Sequence, residues 1–336
     1  MNAPTAPVLE HLDQMSDHRG LFEHADGTVR REEHGYCTDD NARLLVVMSR
    51  QPDIGTAHRL SRLALHFVRG AQAADGQCHN RMDRFGRWTD GQSTDDCWGR
   101  SLYGLGTAAV KHPNLAIRTS ARLGFDRGVR QRSPWTRAMA FAALGATEVA
   151  LHDPGHIPAR ALLVDALAVI GPITAGPWPW PEPRLTYANA TLAEAVIGAG
   201  AALDDAAALE RGLTMLAWLL DLETSGGHLS VTGVGGRGPG DVGPQFDQQP
   251  IEAAAMADAC WRAHQVTGDH SWMRGVLAAA AWFAGDNDTG VVMHDEVSAG
   301  AYDGLQAVGV NLNQGAESTL AFISTMQRAR SFASSP

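Results

Sequence analysis

The sequence predicts an all-α fold: an (α/α)6 barrel, in which six helical hairpins close into a toroid with long loops at one rim. Three observations carry that expectation. Six times a short polar motif runs into an Ala-rich apolar stretch: TDDNAR at 38–43, TDDCWGR at 94–100, SPWTR at 133–137, LTYANA at 185–190, DQQPIE at 247–252 and NQGAES at 313–318. With Asp40, Asp96, Arg137, Asn189, Glu252 and Glu317 as markers, successive gaps are 56, 41, 52, 63 and 65 residues, the length of two helices and two loops. The segments between the motifs carry helical periodicity of two kinds, one suited to an inner ring and one to an outer ring.

Residues 1–30 read as an N-terminal segment with the first outer helix, 31–328 as the barrel domain and 329–336 as a C-terminal tail. Segments 57–68, 158–170, 206–220 and 271–283 alternate apolar and polar positions at helical spacing, so each has one face for water. Segments 138–151, 192–203, 251–264 and 318–326 are nearly apolar all round, as inner helices surrounded by neighbours must be. The loops before inner helices, 75–93, 171–184, 224–248 and 285–311, hold most of the Gly, Pro and Trp outside helices, with a short β piece expected at 228–232. Long ordered loops at one end of a scaffold are where specificity resides.

Composition narrows the function. Of 336 residues, 44% are hydrophobic, ample for one core. Lys and Arg number 27 against 37 Asp and Glu, a net charge of -10 with no basic run, which argues against nucleic acid and anionic membranes as partners. Residues 1–7 lack the basic start and apolar core of a secretion signal, and no uncharged apolar run reaches the roughly 18 residues of a membrane span, so a soluble cytoplasmic protein is expected. Cys37, Cys78, Cys97 and Cys260 show no C-x-x-C spacing and read as reduced, packed thiols.

The motifs place acids, amides, arginines and aromatics at helix starts. Asp39-Asp40 and Asp95-Asp96 are adjacent acid pairs, each one step after a Thr. Glycosidic cleavage commonly uses one carboxylic acid to protonate the leaving oxygen and one carboxylate to activate water or attack the sugar. Successive helical residues point about 100 degrees apart, so one member of each pair is expected to face the pocket. The alternative is capping: Thr is a favoured N-cap, and first-turn acids gain about 0.3–1 kcal/mol from the helix dipole. Capping does not account for Arg137, Asn189, Glu252 and Glu317 at the other starts, types with no shared capping role.

Glu252 follows Gln248-Gln249, with Asp247 before them, and Glu317 follows Asn313-Gln314. Such amide and carboxylate clusters suit sugar hydroxyls, which donate and accept at once. Each Glu reads equally well as a buried carboxylate held by backbone N–H groups and an arginine, with Arg43, Arg100 and Arg137 as candidates. Trp88, Trp98, Trp135, Trp178 and Trp180 lie in or beside the motifs, and flat rings suit the C–H faces of pyranoses. Packing between loops is the alternative for Trp88 and Trp135. In WPWPE at 178–182 prolines stiffen the chain, which makes Trp178 and Trp180 the expected sugar platform.

The segments HGYCTDDNAR at 34–43, WPW at 178–180 with LTYAN at 185–189, FDQQP at 246–250 and NQGAEST at 313–319 resemble a bacterial all-helical family of the six-hairpin glycosidase superfamily. Members of that family are often fused to, or described as, glycosyltransferases. The resemblance runs from about residue 33 to 326 and implies an (α/α)6 barrel with a carbohydrate-handling cleft. Once the barrel is counted, no residues of this sequence remain for a nucleotide-sugar-binding domain. The acid pairs also resemble in concept those of bacterial α-1,6-mannanases of similar shape, which use neighbouring aspartates.

Two further signals lead elsewhere and are discounted. GVGGRG at 233–238 matches G-x-G-x-x-G, but Pro239-Gly240-Asp241 follows where a phosphate-binding helix is needed, so the segment reads as a mobile lid or rim loop. His294-Asp295-Glu296 beside Asp303 has no metal-site spacing, and neither metal nor cofactor is expected. The leading expectation is a glycoside hydrolase, with mannosides among its candidate substrates. Its catalytic acids would come from Asp40, Asp96, Glu252, Glu317, Asp39 and Asp95. Saccharide contacts would come from Arg43, Trp98, Arg100, Arg137, Trp178, Trp180, Glu182, Tyr187, Asn189, Asp247, Gln248, Gln249, Asn313 and Gln314. The second expectation is a non-catalytic carbohydrate-binding barrel beside a separately encoded glycosyltransferase. A sugar epimerase or isomerase is the third; it would favour a histidine acid/base pair, and the helix starts supply none, leaving His34, His79, His228 and His294 in loops.

Overall fold

The computed structural model describes residues 8–333; residues 1–7 and 334–336, parts of the N-terminal segment and C-terminal tail set out above, lie outside the described residues. The helices among the described residues are, in order, α1 (Glu10–Gln14), α2 (Thr38–Met48), α3 (Gly55–Ala71), α4 (Asp96–Lys111), α5 (Leu115–Gly128), α6 (Thr136–His152), α7 (Ile157–Ile170), α8 (Asn189–Leu203), α9 (Ala206–Leu222), α10 (Pro250–Thr267), α11 (Met273–Phe283) and α12 (Ala316–Ala333). Helices α2, α4, α6, α8, α10 and α12 pack each on the next, and α12 returns to α2 to close an inner ring. Each of α3, α5, α7, α9 and α11 packs on the inner helix before it, and α1 packs on α12. The result is the (α/α)6 toroid the motif spacing predicts, with its sixth hairpin made from the two ends of the chain.

The inner helices are apolar all round because they are buried all round: every residue of α6 from Arg137 to Ala150 is buried. Small residues let their backbones meet. A Cβ on Gly145 would lie 2.0 Å from the Leu102 carbonyl oxygen, and one on Gly99 would lie 2.2 Å from that of Ala138, so α4 and α6 touch backbone to backbone. Among the outer helices α7 departs from the expected wet face, since Ile157 (70%) and Val164 (55%) are exposed on it. No helix among the described residues is long and apolar enough to cross a membrane.

Four two-stranded antiparallel pairs stiffen the loops: β1 (Ala25–Asp26) with β2 (Val29–Arg30), β3 (Tyr36–Cys37) with β4 (Arg81–Met82), β5 (Thr224–Ser225) with β6 (His228–Leu229), and β7 (Gly304–Leu305) with β8 (Val310–Asn311). In β3–β4, Tyr36 stands opposite Met82, which ties the first motif to the 75–93 loop. The Gly-rich 233–238 segment is bridged at both ends, Gly233 to Gln248 and Arg237 to Leu185, and the next helix, α10, starts only at Pro250.

Candidate active site

Contacts among the motifs run around and across one rim. Arg43 of α2 reaches Glu317 of α12, Tyr187 before α8 reaches Asp96 of α4, Arg137 of α6 reaches Asn189 of α8, and Glu252 of α10 reaches Asn189. Neither Thr of the Thr-Asp-Asp motifs serves as the expected cap. Cys37 caps α2, its sulfur accepting from the Asp40 N–H, while the Thr38 hydroxyl donates to the His79 carbonyl. Asp95 occupies the cap position of α4 and makes no side-chain cap bond.

At the junction of α12 and α2 one guanidinium holds two carboxylates. Arg43 donates through Nη1 to Asp40 Oδ1 at 2.5 Å and pairs through Nη2 with Glu317. Asp40 is 2% exposed and also accepts from the Cys37 thiol at 3.1 Å. Burial pushes its carboxyl up to about 6; Arg43 pulls against that, while Glu317 and Glu23 add to it. The Glu317 side chain is 38% exposed. Asp39 accepts from Asn80 Nδ2 at 3.0 Å and stands 3.7 Å from Arg100 Nε. A polar cavity of about 390 Å3 is lined by Asp39, Asp40, Arg43, Gln249, Asn313 and Glu317 among others. Both members of the first acid pair therefore line it, a correction to the expectation of one, and Asp95 and Asp96 likewise share the next cavity.

Glu252 does something the helix pattern does not reveal. It is 5% exposed and accepts from the backbone N–H of Ala188 (2.5 Å) and Asn189 (3.2 Å), capping α8 from the neighbouring helix. Ala188 sits in the left-handed region at φ 47, a conformation costly for a residue with a Cβ. Burial pushes the Glu252 carboxyl up to about 7 against the pull of those two N–H groups. Arg137 completes the clamp, donating to the Tyr187 carbonyl (2.6 Å), Glu182 (2.9 Å), Thr186 Oγ1 (2.9 Å) and Asn189 Oδ1 (3.2 Å). Arg137 and Asn189 thus position the 182–189 segment.

Beside this clamp a cavity of about 700 Å3 is lined by Asp95, Asp96, Trp135, Arg137, Glu182 and Tyr187, among others. Tyr187 donates to Asp96 Oδ2 at 2.7 Å. The aromatic surface here is Trp135, 60% exposed, and Tyr187, 42% exposed. Trp180 is 4% exposed and packs on Trp218, and Trp178 is turned edge-on to Trp218 with its N–H on the Glu182 carbonyl, so this pair builds the loop and does not form the expected platform. Trp98 is fully buried, its N–H on the Gly128 carbonyl. Gln248 is fully buried between Trp282 and Asp288, and Gln314 is buried against Ser298 and Asp295, so these three side chains leave no face for a ligand. Asp247 is half-buried and its carbonyl accepts from the Val234 N–H. Asn313 accepts from the Gly27 N–H at the cavity edge.

Below the rim an axial cavity of about 80 Å3 runs between Arg43, Arg100 and Glu317 at its mouth and Glu194 and Asp258 at its base. Beneath lies a layer of charges near the C-terminal ends of the inner helices. Arg50 and Arg328 hold Asp258 at 3.1 and 2.5 Å, while Lys111 (2.9 Å) and Arg262 hold Glu148. Burial alone would push Glu148 up, but Arg262 and Lys111 outweigh it and hold its carboxyl at about 2. None of these floor residues belonged to the expected site, although an acid flanked by alanines, as Glu194 is, was a readable sign that partners wait elsewhere in the fold.

Glu23, Cys37 and Asp40 bring ligand atoms within 4.8 Å of one another, the one such group among the described residues. Arg81 pairs with Glu23 and Arg43 with Asp40, so cations already neutralise two of the three. His294 instead stacks on Phe322.

No protein-family model matches the chain, and no curated protein matches it in sequence. Its fold is similar to that of a sugar epimerase from a ruminal bacterium, at 12% identity over 98% of this chain and 96% of that one, TM-score 0.72. It is similar to cellobiose 2-epimerase from Bacillus thermoamylovorans at 11% identity over 94% and 96% of the two chains, TM-score 0.68. It is also similar to a GH76 α-mannanase from Bacteroides thetaiotaomicron at 10% identity over 97% and 94%, TM-score 0.64. At such identity the likeness speaks to fold alone: the chain has the (α/α)6 toroid that these neighbours share.

Proposed function

We propose that the protein is a carbohydrate-active enzyme that hydrolyses glycosidic bonds in the rim cleft. The observation that carries this reading is the pair Asp40 and Glu317, held on one guanidinium at the mouth of the axial cavity. Hydrolysis needs two carboxyl groups in different protonation states on either side of the anomeric carbon. Asp40, buried and raised to about 6, suits the general acid. Glu317, more exposed and lining the same cavity, suits the base or nucleophile, with Asp39 beside them. Trp135 and Tyr187 offer aromatic faces along the second cavity for further sugar units. The α-mannanase among the neighbours makes α-mannosides the first substrates to try.

The test is a reducing-sugar screen of purified protein over defined oligosaccharides, repeated with Asp40→Asn and Glu317→Gln. Hydrolysis by the parent that survives both substitutions within a few-fold would overturn the carboxylate mechanism. A second reading, epimerase or isomerase, is favoured by the names of the epimerases among the neighbours. It requires proton transfer at carbon; among the described residues no histidine lines the axial cavity, while His24 lines the cavity that holds Asp40 and Glu317. Product analysis by NMR separates the two, since an epimerase changes the sugar without raising reducing ends. Binding without turnover would favour the accessory barrel working beside a glycosyltransferase.

A further inference from the structure

Among the described residues at the rim, Arg100 is an arginine whose guanidinium makes no hydrogen bond within the protein, its nearest acid being Asp39 at 3.7 Å. It is 7% exposed, its guanidinium lies 3.8 Å over the Phe141 ring, and it lines the axial cavity. Arg43 and Arg137 are each spent on short bonds, whereas the nearest carboxylate oxygen to Arg100 is that of Asp39, 3.7 Å from Nε and beyond hydrogen-bonding distance. Arg100 lines the axial cavity, which leaves its guanidinium beside space that a ligand group can enter. The charges that face it are Arg43, Asp39, Glu317 and Asp96. Burial, and after it the like charge of Arg43, hold its pKa below the usual guanidinium value in spite of those acids. A buried cation with free donors and a like-charged neighbour is costly until an anion arrives.

We propose that Arg100 anchors a carboxylate carried by the saccharide, so that the substrates are uronic acids or glycans containing them; this rests on the carbohydrate reading above. The guanidinium fork matches a planar carboxylate and can hold both of its oxygens. A phosphate fits less well, because the acids that face Arg100, namely Asp39, Glu317 and Asp96, repel a second negative charge as well as the first. The cavity of about 80 Å3 exceeds the roughly 10–15 Å3 that one water requires, leaving room for an exocyclic carboxylate below a sugar ring at the rim.

Calorimetric titration of the full chain with the methyl glycosides of glucuronic, galacturonic and mannuronic acid, each beside its neutral hexoside, tests this. At least one acid should bind about tenfold or more tighter than its neutral match, the scale of a hydrogen bond to a charged group. In Arg100→Met the two should become equal, and in Arg100→Lys part of the preference should remain. Removing an unmatched buried charge should also leave the melting temperature of unliganded Arg100→Met no lower than that of the parent. Neutral sugars binding as well as acids, a preference that survives Arg100→Met, or tighter binding of glucose 6-phosphate than of glucuronate would each overturn the assignment while leaving the carbohydrate reading intact. If neither acids nor neutral sugars bind, both fall together.

Discussion

The two ends of the barrel bury the same kinds of charge to opposite effect. At the floor, Lys111, Arg262 and Glu148 form one ion-pair group and Arg50, Arg328 and Asp258 another. At the rim, Arg43 holds two acids but Arg100 holds none closely, and Glu317 and Tyr187 stay partly open to solvent. The floor pairs use most of their capacity on the fold; the rim keeps some for a ligand. Burial and a raised carboxyl occur at both ends, since Glu194 at the floor is pushed up to about 7; the rim differs in that its charges line an open polar cavity.

The largest effect that would sharpen this contrast is on catalysis. Asp40→Asn should lower turnover by about 10²–10⁴ while the protein still folds and binds sugar; steady-state kinetics with calorimetry decides, and a loss of folding instead would place Asp40 with the floor. Next is Arg262→Met, which leaves Glu148 short of a partner and should cost about 3–5 kcal/mol in urea unfolding, with turnover per folded molecule unchanged within a few-fold. Gly145→Ala forces a methyl against the Leu102 carbonyl and should cost about 1–3 kcal/mol without a specific effect on the cleft. Trp135→Ala should weaken oligosaccharide binding by about 1 kcal/mol and leave monosaccharide binding unaltered, if its exposed ring carries the outer sugar units.

The same contrast predicts a pair of opposed pH slopes. Asp40 rises from 3.8 to about 6 on folding, so the folded state binds its proton more tightly. Its contribution is present below about pH 4 and is lost as pH climbs through 6. Glu148 falls from 4.5 to about 2, so its contribution is present above pH 4.5 and is lost as pH falls towards 2. The melting temperature of the parent relative to Asp40→Asn should therefore drop between pH 4 and 6, and relative to Glu148→Gln it should drop below pH 4.5. Slopes of the same sign in both variants would erase the distinction between the two ends.

By itself the sequence determined the architecture. Six polar starts at near-regular spacing, with inner segments apolar on every side, leave few arrangements other than a closed double ring, because each inner helix must be covered all round. It also placed Asp39, Asp40, Glu252 and Glu317 at one end, since a helix start is a local signal. Which groups meet there was decided by tertiary structure. The sequence favours Trp180 over Trp135 as a sugar platform, and tertiary structure reverses that order: Trp180 packs on Trp218 of a later helix and is buried, while Trp135 is exposed. Glu252 looks like a catalytic acid until the left-handed turn at Ala188 brings two N–H groups onto it. The physical reason is that periodicity is written within a few residues of chain, whereas the partners of a buried charge come from segments about 45 to about 275 residues away, as Arg137 with Glu182 and Arg43 with Glu317 do.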